Sequence, residues 1–353
     1  MKFLAFALLY LSSSIFAGDN DRFYTNSFLD IPLGARAAGM GNAYGAIADD
    51  GTAFYWNPAG IVLGHKREIS MTFADHYGGF GQYSFIGYTH QLKGNYAFSV
   101  SWIRYSIGSI KEFKELADNF NDRVNPDYDF SKYYNGRFDY ADNALFFSFA
   151  KLNKFRLNLG WLYNEFPIQI PIGVNFKVIT GGTNGIKGDP TPINPNNVIQ
   201  TDAKKFGIGV DVGTMIMFGM NDFLETPYLG DFALGLNIQD ATTTAVRWNA
   251  LSSTTRAQDV APINVKFAIS YIQPLDELQS NVLLTYERNS RYEANYHYGV
   301  EYDYKKTVAL RLGYDDGLIT YGTGVSMYNF HLDYALLNHD LGNVHRISVS
   351  YKF

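Results

Sequence analysis

The residues whose types and spacing could do chemistry are histidines and carboxylates set two apart on segments of alternating polarity. His331 and Asp333 share one face of such a segment, and His297, Glu301 and Asp303 share a face of another. An imidazole beside a carboxylate suits general acid–base catalysis or metal binding. Neither reading develops: no nucleophile stands out beside these groups, and no tight metal-ligand spacing occurs. The chain has no Cys, which removes thiolate sites and disulfides. Arg104, Lys177, Asp211, Lys266, Glu287, Arg311 and Arg346 are assigned to the same predicted lumen. The default role of such groups is to pair across a wide, wet interior. The expectation is therefore no enzyme, no metal and no cofactor, with Arg104, His297, Glu301, Arg311, His331 and Asp333 as a polar cluster of a lumen.

The elements that must position these residues are strands. Tyr96, Phe98, Val100 and Trp102 alternate with Ala97, Ser99 and Ser101, and Tyr296, Tyr298, Val300, Tyr302 and Tyr304 alternate with Asn295, His297, Gly299, Glu301 and Asp303. Period two with one apolar and one small or polar face recurs along the chain. It predicts about fourteen strands, near 67–75, 81–92, 95–106, 141–150, 168–180, 205–219, 230–241, 262–272, 279–289, 293–304, 306–315, 317–327, 329–338 and 342–353. Aromatic content is high, with 27 Tyr, 27 Phe and 4 Trp, while mean hydropathy is only −0.15. Both facts suit strands that meet lipid on one face and carry aromatic girdles at two interfaces. The fold expected is all-β, a transmembrane antiparallel up-and-down barrel.

Alternating the strands up and down places the long connections 107–140, 181–204 and 242–261 on one side, the outer one. Phe155, Leu157, Leu159, Trp161 and Tyr163 also alternate, but an additional strand there would split the long loops between two sides. We therefore assign 151–167 to a periplasmic connection ending at Pro167. Segment 111–120 could form a short amphipathic helix in the first outer loop.

The chain opens with Lys2, an apolar run from Phe3 to Leu11, three serines and Ala17, the layout of a secretory signal peptide spanning 1–17. A net charge of −5 argues against nucleic acid. Residues 18–66 are not strand-like. Gly34, Gly39, Gly41 and the alanines around them let one backbone approach another, Asp49 and Asn57 are candidate helix caps, and Pro58 suits a first helical position. The spacing of Gly39, Gly41 and Gly45 is wrong for a dinucleotide loop and follows no strand. The apolar residues Leu33, Met40, Phe54 and Trp56 speak against a solvated linker. A packed plug of short turns is expected, followed by a barrel over 67–353.

Gly34-Ala35-Arg36-Ala37, Gly39-Met40-Gly41, Ala48-Asp49-Asp50 and Trp56-Asn57-Pro58-Ala59-Gly60 resemble the N-terminal hatch of FadL-like outer-membrane barrels, and within them the PorV/PorQ group. A second match lies in Asp333-Tyr334-Ala335 and 341–348. The resemblance implies a bacterial outer-membrane protein with outer-membrane lipid around it, and a hatch motif of Gly39, Gly41, Asp49, Asn57, Pro58 and Ala59. It implies passive uptake of a hydrophobic small molecule, with Phe113, Leu116 and Phe120 as an outer-loop capture site. The alternatives are a PorV-like component of type IX secretion, which binds secreted proteins or the translocon, and a purely structural barrel. Gly60-Ile61-Val62 departs from the PorV pattern and weighs against the secretion role. The last residues alternate and end in Tyr351-Lys352-Phe353, which resembles the signal read by the barrel-assembly machinery.

Overall fold

The computed structural model describes residues 26–76, 79–113, 129, 134–158, 160, 165–187, 204–224, 226, 228–248, 258–291, 296–338 and 342–353. The segment expected to be a signal peptide, together with Leu116 and Phe120, lies outside these residues.

Sixteen strands form one antiparallel sheet: β1 (Arg67–His76), β2 (Gly81–Leu92), β3 (Tyr96–Phe113), β4 (Tyr134–Asn158), β5 (Glu165–Lys187), β6 (Lys204–Gly219), β7 (Asp231–Gln239), β8 (Thr244–Trp248), β9 (Gln258–Ala261), β10 (Asn264–Leu275), β11 (Ser280–Asn289), β12 (Tyr296–Tyr304), β13 (Val308–Asp315), β14 (Leu318–Met327), β15 (Phe330–Leu337) and β16 (Val344–Lys352). Sequential neighbours pair except that β7 pairs with β10 past β8 and β9, and β16 pairs with β1, so the sheet closes. Strand β6 pairs with β7 through 212–219 and with β8 through 205–208. Thus β8 and β9 only prolong β7 and β10 beyond a local break, and the closed barrel has fourteen strands. Closure leaves the fourteen-strand wall without a sheet edge, which a wall inside lipid requires; the outer extension ends at β9, which pairs with β8 alone.

The burial of β1 alternates from Arg67 to His76, with Ile69, Met71 and Phe73 outward and Glu68, Ser70, Thr72 and Ala74 inward. The same holds around the barrel: Leu312, Val300 and Phe176 are outward at 51%, 42% and 45% exposure, while Arg311, Glu301 and Lys177 are inward and buried. A polar inside and an apolar outside invert the pattern of a water-soluble sheet, and the solvent that fits such an exterior is a bilayer. Among the described residues no helix is long and apolar enough to cross a membrane; strands make the crossing.

The three long connections do emerge at one end, but they are shorter than expected. Strand β3 runs on to Phe113 and β4 begins at Tyr134, with register shifts after Ile107 and Glu112. Lys111 to Phe113 are therefore strand and not the start of a helix. The expected connection 151–167 is also corrected: 151–158 belongs to β4 and 165–167 to β5, paired from Leu152 opposite Pro171 to Asn158 opposite Glu165. The alternation of Phe155 and Leu157 was a true strand signal that lengthened a strand already counted. At the outer end, backbone pairing carries the extensions of β3, β4 and β5, which polar or glycine-rich composition hides from a reading based on side chains.

An outward charge at mid-depth should be costly. We expect Leu312→Arg to lose about 2–4 kcal/mol of stability in lipid vesicles, read as a lower urea midpoint of refolding. No change would mean that this face does not meet lipid.

Candidate functional site

The N-terminal segment is threaded through the barrel as four short elements: 3-10 turns at Ser27–Leu29 and Pro58–Val62 and helices at Ala35–Gly39 and Ala53–Trp56. Almost every residue from Leu33 to Val62 is buried. Helices this short cannot satisfy their own ends, and the wall does it for them. Phe54, Tyr55 and Trp56 carbonyls accept from Asn175 Nδ2 (2.7 Å), Gln239 Nε2 (3.0 Å) and Asn237 Nδ2 (2.7 Å). Tyr44 and Gly45 N–H groups donate to Glu287 Oε2 at 3.0 and 2.6 Å, and Gly51 N–H donates to Glu68 Oε1 at 3.1 Å.

Plug and wall also touch backbone to backbone. A Cβ on wall residues Gly173, Gly213, Gly235, Gly299, Gly313 or Gly322 would run into plug atoms of Pro58, Asn57, Gly45, Met40, Gly41 or Gly39 respectively. On the plug, Gly41 has a positive φ of 61° and is hemmed by Tyr298 and Tyr314 backbone atoms. The small-residue reading of this segment therefore has its counterpart in the wall. Asn57 caps the turn Pro58–Val62, accepting from Ala59 N–H at 3.2 Å, and its amide donates to Gly45 and Thr214 carbonyls. Asp49 does not cap. Thr52 N–H is taken by Asp50 Oδ1 at 2.8 Å, and Asp49 instead pairs with Arg36 at 2.6 Å.

The expected lumen residues divide into three groups. Glu301, Arg311 and Asp333 do meet, in a chain with the plug's Arg36: Arg36 donates twice to Glu301 at 3.0 Å, Arg311 to the same carboxylate at 2.6 Å, and Arg311 to Asp333 at 2.7 Å. His297 is elsewhere, between Gly41 O and Asp315, and His331 bonds Ser326 Oγ at 2.6 Å while Asp333 faces Arg311. The His/carboxylate spacings thus form no acid–base pair with each other. Arg104 is the correction: it lies on the outer wall, on the same face as Trp102, and both donate to Asn143. Alternation from Tyr96 continues unbroken past residue 104, so its parity is that of the lipid-facing set.

One signal was missed. Lys177, Asp240, Arg291 and Asp30 form a second chain, with Lys177–Asp240 and Arg291–Asp240 at 2.6 Å and Arg291–Asp30 closing onto the plug. Asp30, Asp240 and Arg291 sit in turns, where charge reads as solvated. The lumen is also less uniformly polar than expected. Phe54 packs on Phe85 and Phe146 at 5.6 and 4.9 Å, in an apolar core between the plug and the β1 to β6 side of the wall.

Cavities flank the plug at both ends. The outer one, about 470 Å³, is lined by strand ends near the long connections, including His76, Asp315, Leu318, Leu337 and Val344. The inner one, about 380 Å³, is lined by Leu63, Gln169, Met217, Phe218, Asp231 and Ile272 near the short turns. Arg346 lines the outer cavity fully buried, with Nε and Nη1 lacking hydrogen-bond partners, and Lys266 lies over the rings of Tyr55 and Trp56.

No family model matches the sequence, and no curated protein matches it. Among solved structures, the chain is similar to the toluene transporter TodX of P. putida, with a TM-score of 0.50 at 11% identity over 91% of this chain and 98% of that one. A TodX deltaS2S3 mutant, a monoaromatic hydrocarbon channel, superposes equally, at 0.50 and 11% over 91% and 98%. The Ralstonia pickettii toluene transporter TbuX is 14% identical over 91% and 98%, with a TM-score of 0.49. At such identities the likeness is one of fold. The fold is that of outer-membrane β-barrels.

Two predictions follow from the charge chains. Glu301→Gln removes the carboxylate that Arg36 and Arg311 share, leaving each with one acidic partner, Asp49 and Asp333, and should cost about 1–3 kcal/mol, measured as a lower urea midpoint with earlier protease cutting of the plug. Burial alone would raise the Asp240 carboxyl, but Lys177 and Arg291 outweigh it and hold it below its usual range. A depressed carboxylate stabilises the fold above its unfolded value of about 3.9 and loses that contribution as pH falls. Protease release of the plug should therefore rise below about pH 4, and Asp240→Asn should show faster release already at pH 7 and a flatter acid response.

Proposed function

We propose that the protein is a passive outer-membrane channel for hydrophobic small molecules, with the N-terminal plug as its hatch. The observation that carries this reading is the outer cavity, about 470 Å³ in size, bounded by Leu29, Ile31, Leu318 and Leu337 and by the unpartnered Arg346. That is room for one small ligand, with an apolar side set among many polar groups, His76, Lys266, Arg291 and Asp315 among them, that would orient it. An apolar body would lie against the leucines, and an acidic end, where the ligand has one, would fill the two open donors of Arg346. The similarity in fold to a toluene transporter and to a monoaromatic hydrocarbon channel supports the same reading.

In this account Gly39, Gly41, Asn57, Pro58 and Ala59 hold the hatch shut, and Asp49 acts through Arg36. Phe113, packed edge-on to Tyr134 at 6.1 Å on the outer extension of β3 and β4, is a first contact for ligand. Residues 1–17 would direct export. Tyr351 and Phe353, stacked at 5.5 Å beside Phe330, would serve the barrel-assembly machinery.

The absence of Cys gives a clean test. Ala46 of the plug packs with Ala268 of the wall. An oxidised Ala46→Cys/Ala268→Cys protein should lose most uptake of toluene and decanoate into vesicles and recover it on reduction. Full uptake with the bridge closed would overturn the hatch. Arg346→Met should slow decanoate about tenfold and leave toluene unchanged. Purification with secreted proteins bound, and no small molecule taken up, would favour the secretion reading instead.

A further inference from the structure

The outward Arg104 is the feature that neither the barrel nor the uptake reading uses. A guanidinium on the lipid-facing wall is unfavourable unless it reaches the interface or meets an anion. Arg104 has no ion-pair partner among the described residues; its Nη1 donates to Asn143 Oδ1 at 3.2 Å, and Trp102 Nε1 shares that acceptor at 3.3 Å. Eight residues of rise from Tyr96, at the short-turn end, with the usual strand tilt, lift it roughly 20 Å. That is near the top of an apolar band about 25 Å tall, on the side of the long connections. An indole N–H at the same height is the usual mark of a membrane interface.

Directly beneath it the wall is hollow. Ser84 on β2 stands cross-strand between Phe73 on β1 and Arg104 on β3. Its small side chain leaves a groove of about 320 Å³ between Met71, Phe73, Ile86, Trp102, Ile347 and Val349. Phe73, Met71 and Trp102 are 50%, 50% and 42% exposed along it. The groove is open to the bilayer, apolar along its walls, and cationic at its outer end.

The geometry points to a built site for one phosphorylated, multiply acylated glycolipid of the outer leaflet, with a phosphate on Arg104 and an acyl chain in the groove over Ser84. Arginine suits phosphate because its planar fork can donate two parallel hydrogen bonds. The charge complementarity fixes the headgroup, and the groove fixes the chain directly below it. A glycolipid held there would pin β1, β2, β3 and β16, the strands where the barrel closes.

The test uses the full-length barrel, delipidated in mild detergent and titrated with bisphosphorylated lipid A under native mass spectrometry. Dephosphorylated lipid A and phosphatidylglycerol serve as comparison probes. One lipid A should bind, at least about tenfold more tightly than either comparison probe. Arg104→Gln and Ser84→Phe should each lower its occupancy by a similar factor, and Arg104→Lys should restore part of it. Folding of each variant is checked by its heat-resistant gel mobility. The proposal is overturned by equal binding of the dephosphorylated lipid, by phosphatidylglycerol binding as well, or by unchanged occupancy in folded Arg104→Gln or Ser84→Phe protein.

Discussion

The rest of the structure depends on the direct approach of two backbones, plug and wall, where neither carries a side chain. Gly39 meets Gly322, Gly41 meets Gly313 and Gly45 meets Gly235. A fourteen-strand barrel is too wide to be filled from its own wall, so some other chain segment must occupy the lumen. That segment can pack densely only if glycines on both sides let it come within backbone contact. Its helices are too short to satisfy their ends, and close approach is also what brings Asn175, Asn237, Gln239 and Glu287 within hydrogen-bond reach of them.

Charge follows from the same arrangement. Inside the lumen the polar face of each strand is shut away from bulk water once the plug is in place, and its charges must then be paired. The chains through Arg36 and Glu301 and through Arg291 and Asp240 each reach from the wall into the plug or its entry. They specify one position of the plug more than they stabilise it, since buried pairs recover little beyond their desolvation. Polar contacts of this kind can be exchanged for others, whereas the apolar packing of Phe54 against Phe85 and Phe146 resists displacement.

Arg346 and Arg104 show two ways in which a charge stands outside this pairing. The first is closed in at the outer cavity with open donors, the second faces lipid above a groove. Each is a local conflict between residue type and surroundings, and such conflicts concentrate where a protein meets something other than itself.

Much of the fold was legible in the sequence. Period two, aromatic content and the parity of long connections determined a closed barrel of fourteen strands, because each strand must show one face to lipid whatever its neighbours do. Asn57-Pro58 announced a capped turn through local chemistry alone. Tertiary structure alone decided where strands end: the outer extensions of β3, β4 and β5 rest on backbone pairing that no side-chain pattern shows, and the alternation of Phe155 and Leu157 marked a strand without saying which one it prolongs. It also decided which charges meet: His331 and Asp333 share a face and yet serve Ser326 and Arg311, for the partner of an inward side chain is set by register and by the plug. Arg104 fell outside the lumen because the parity of its strand ruled its direction, and its charge did not.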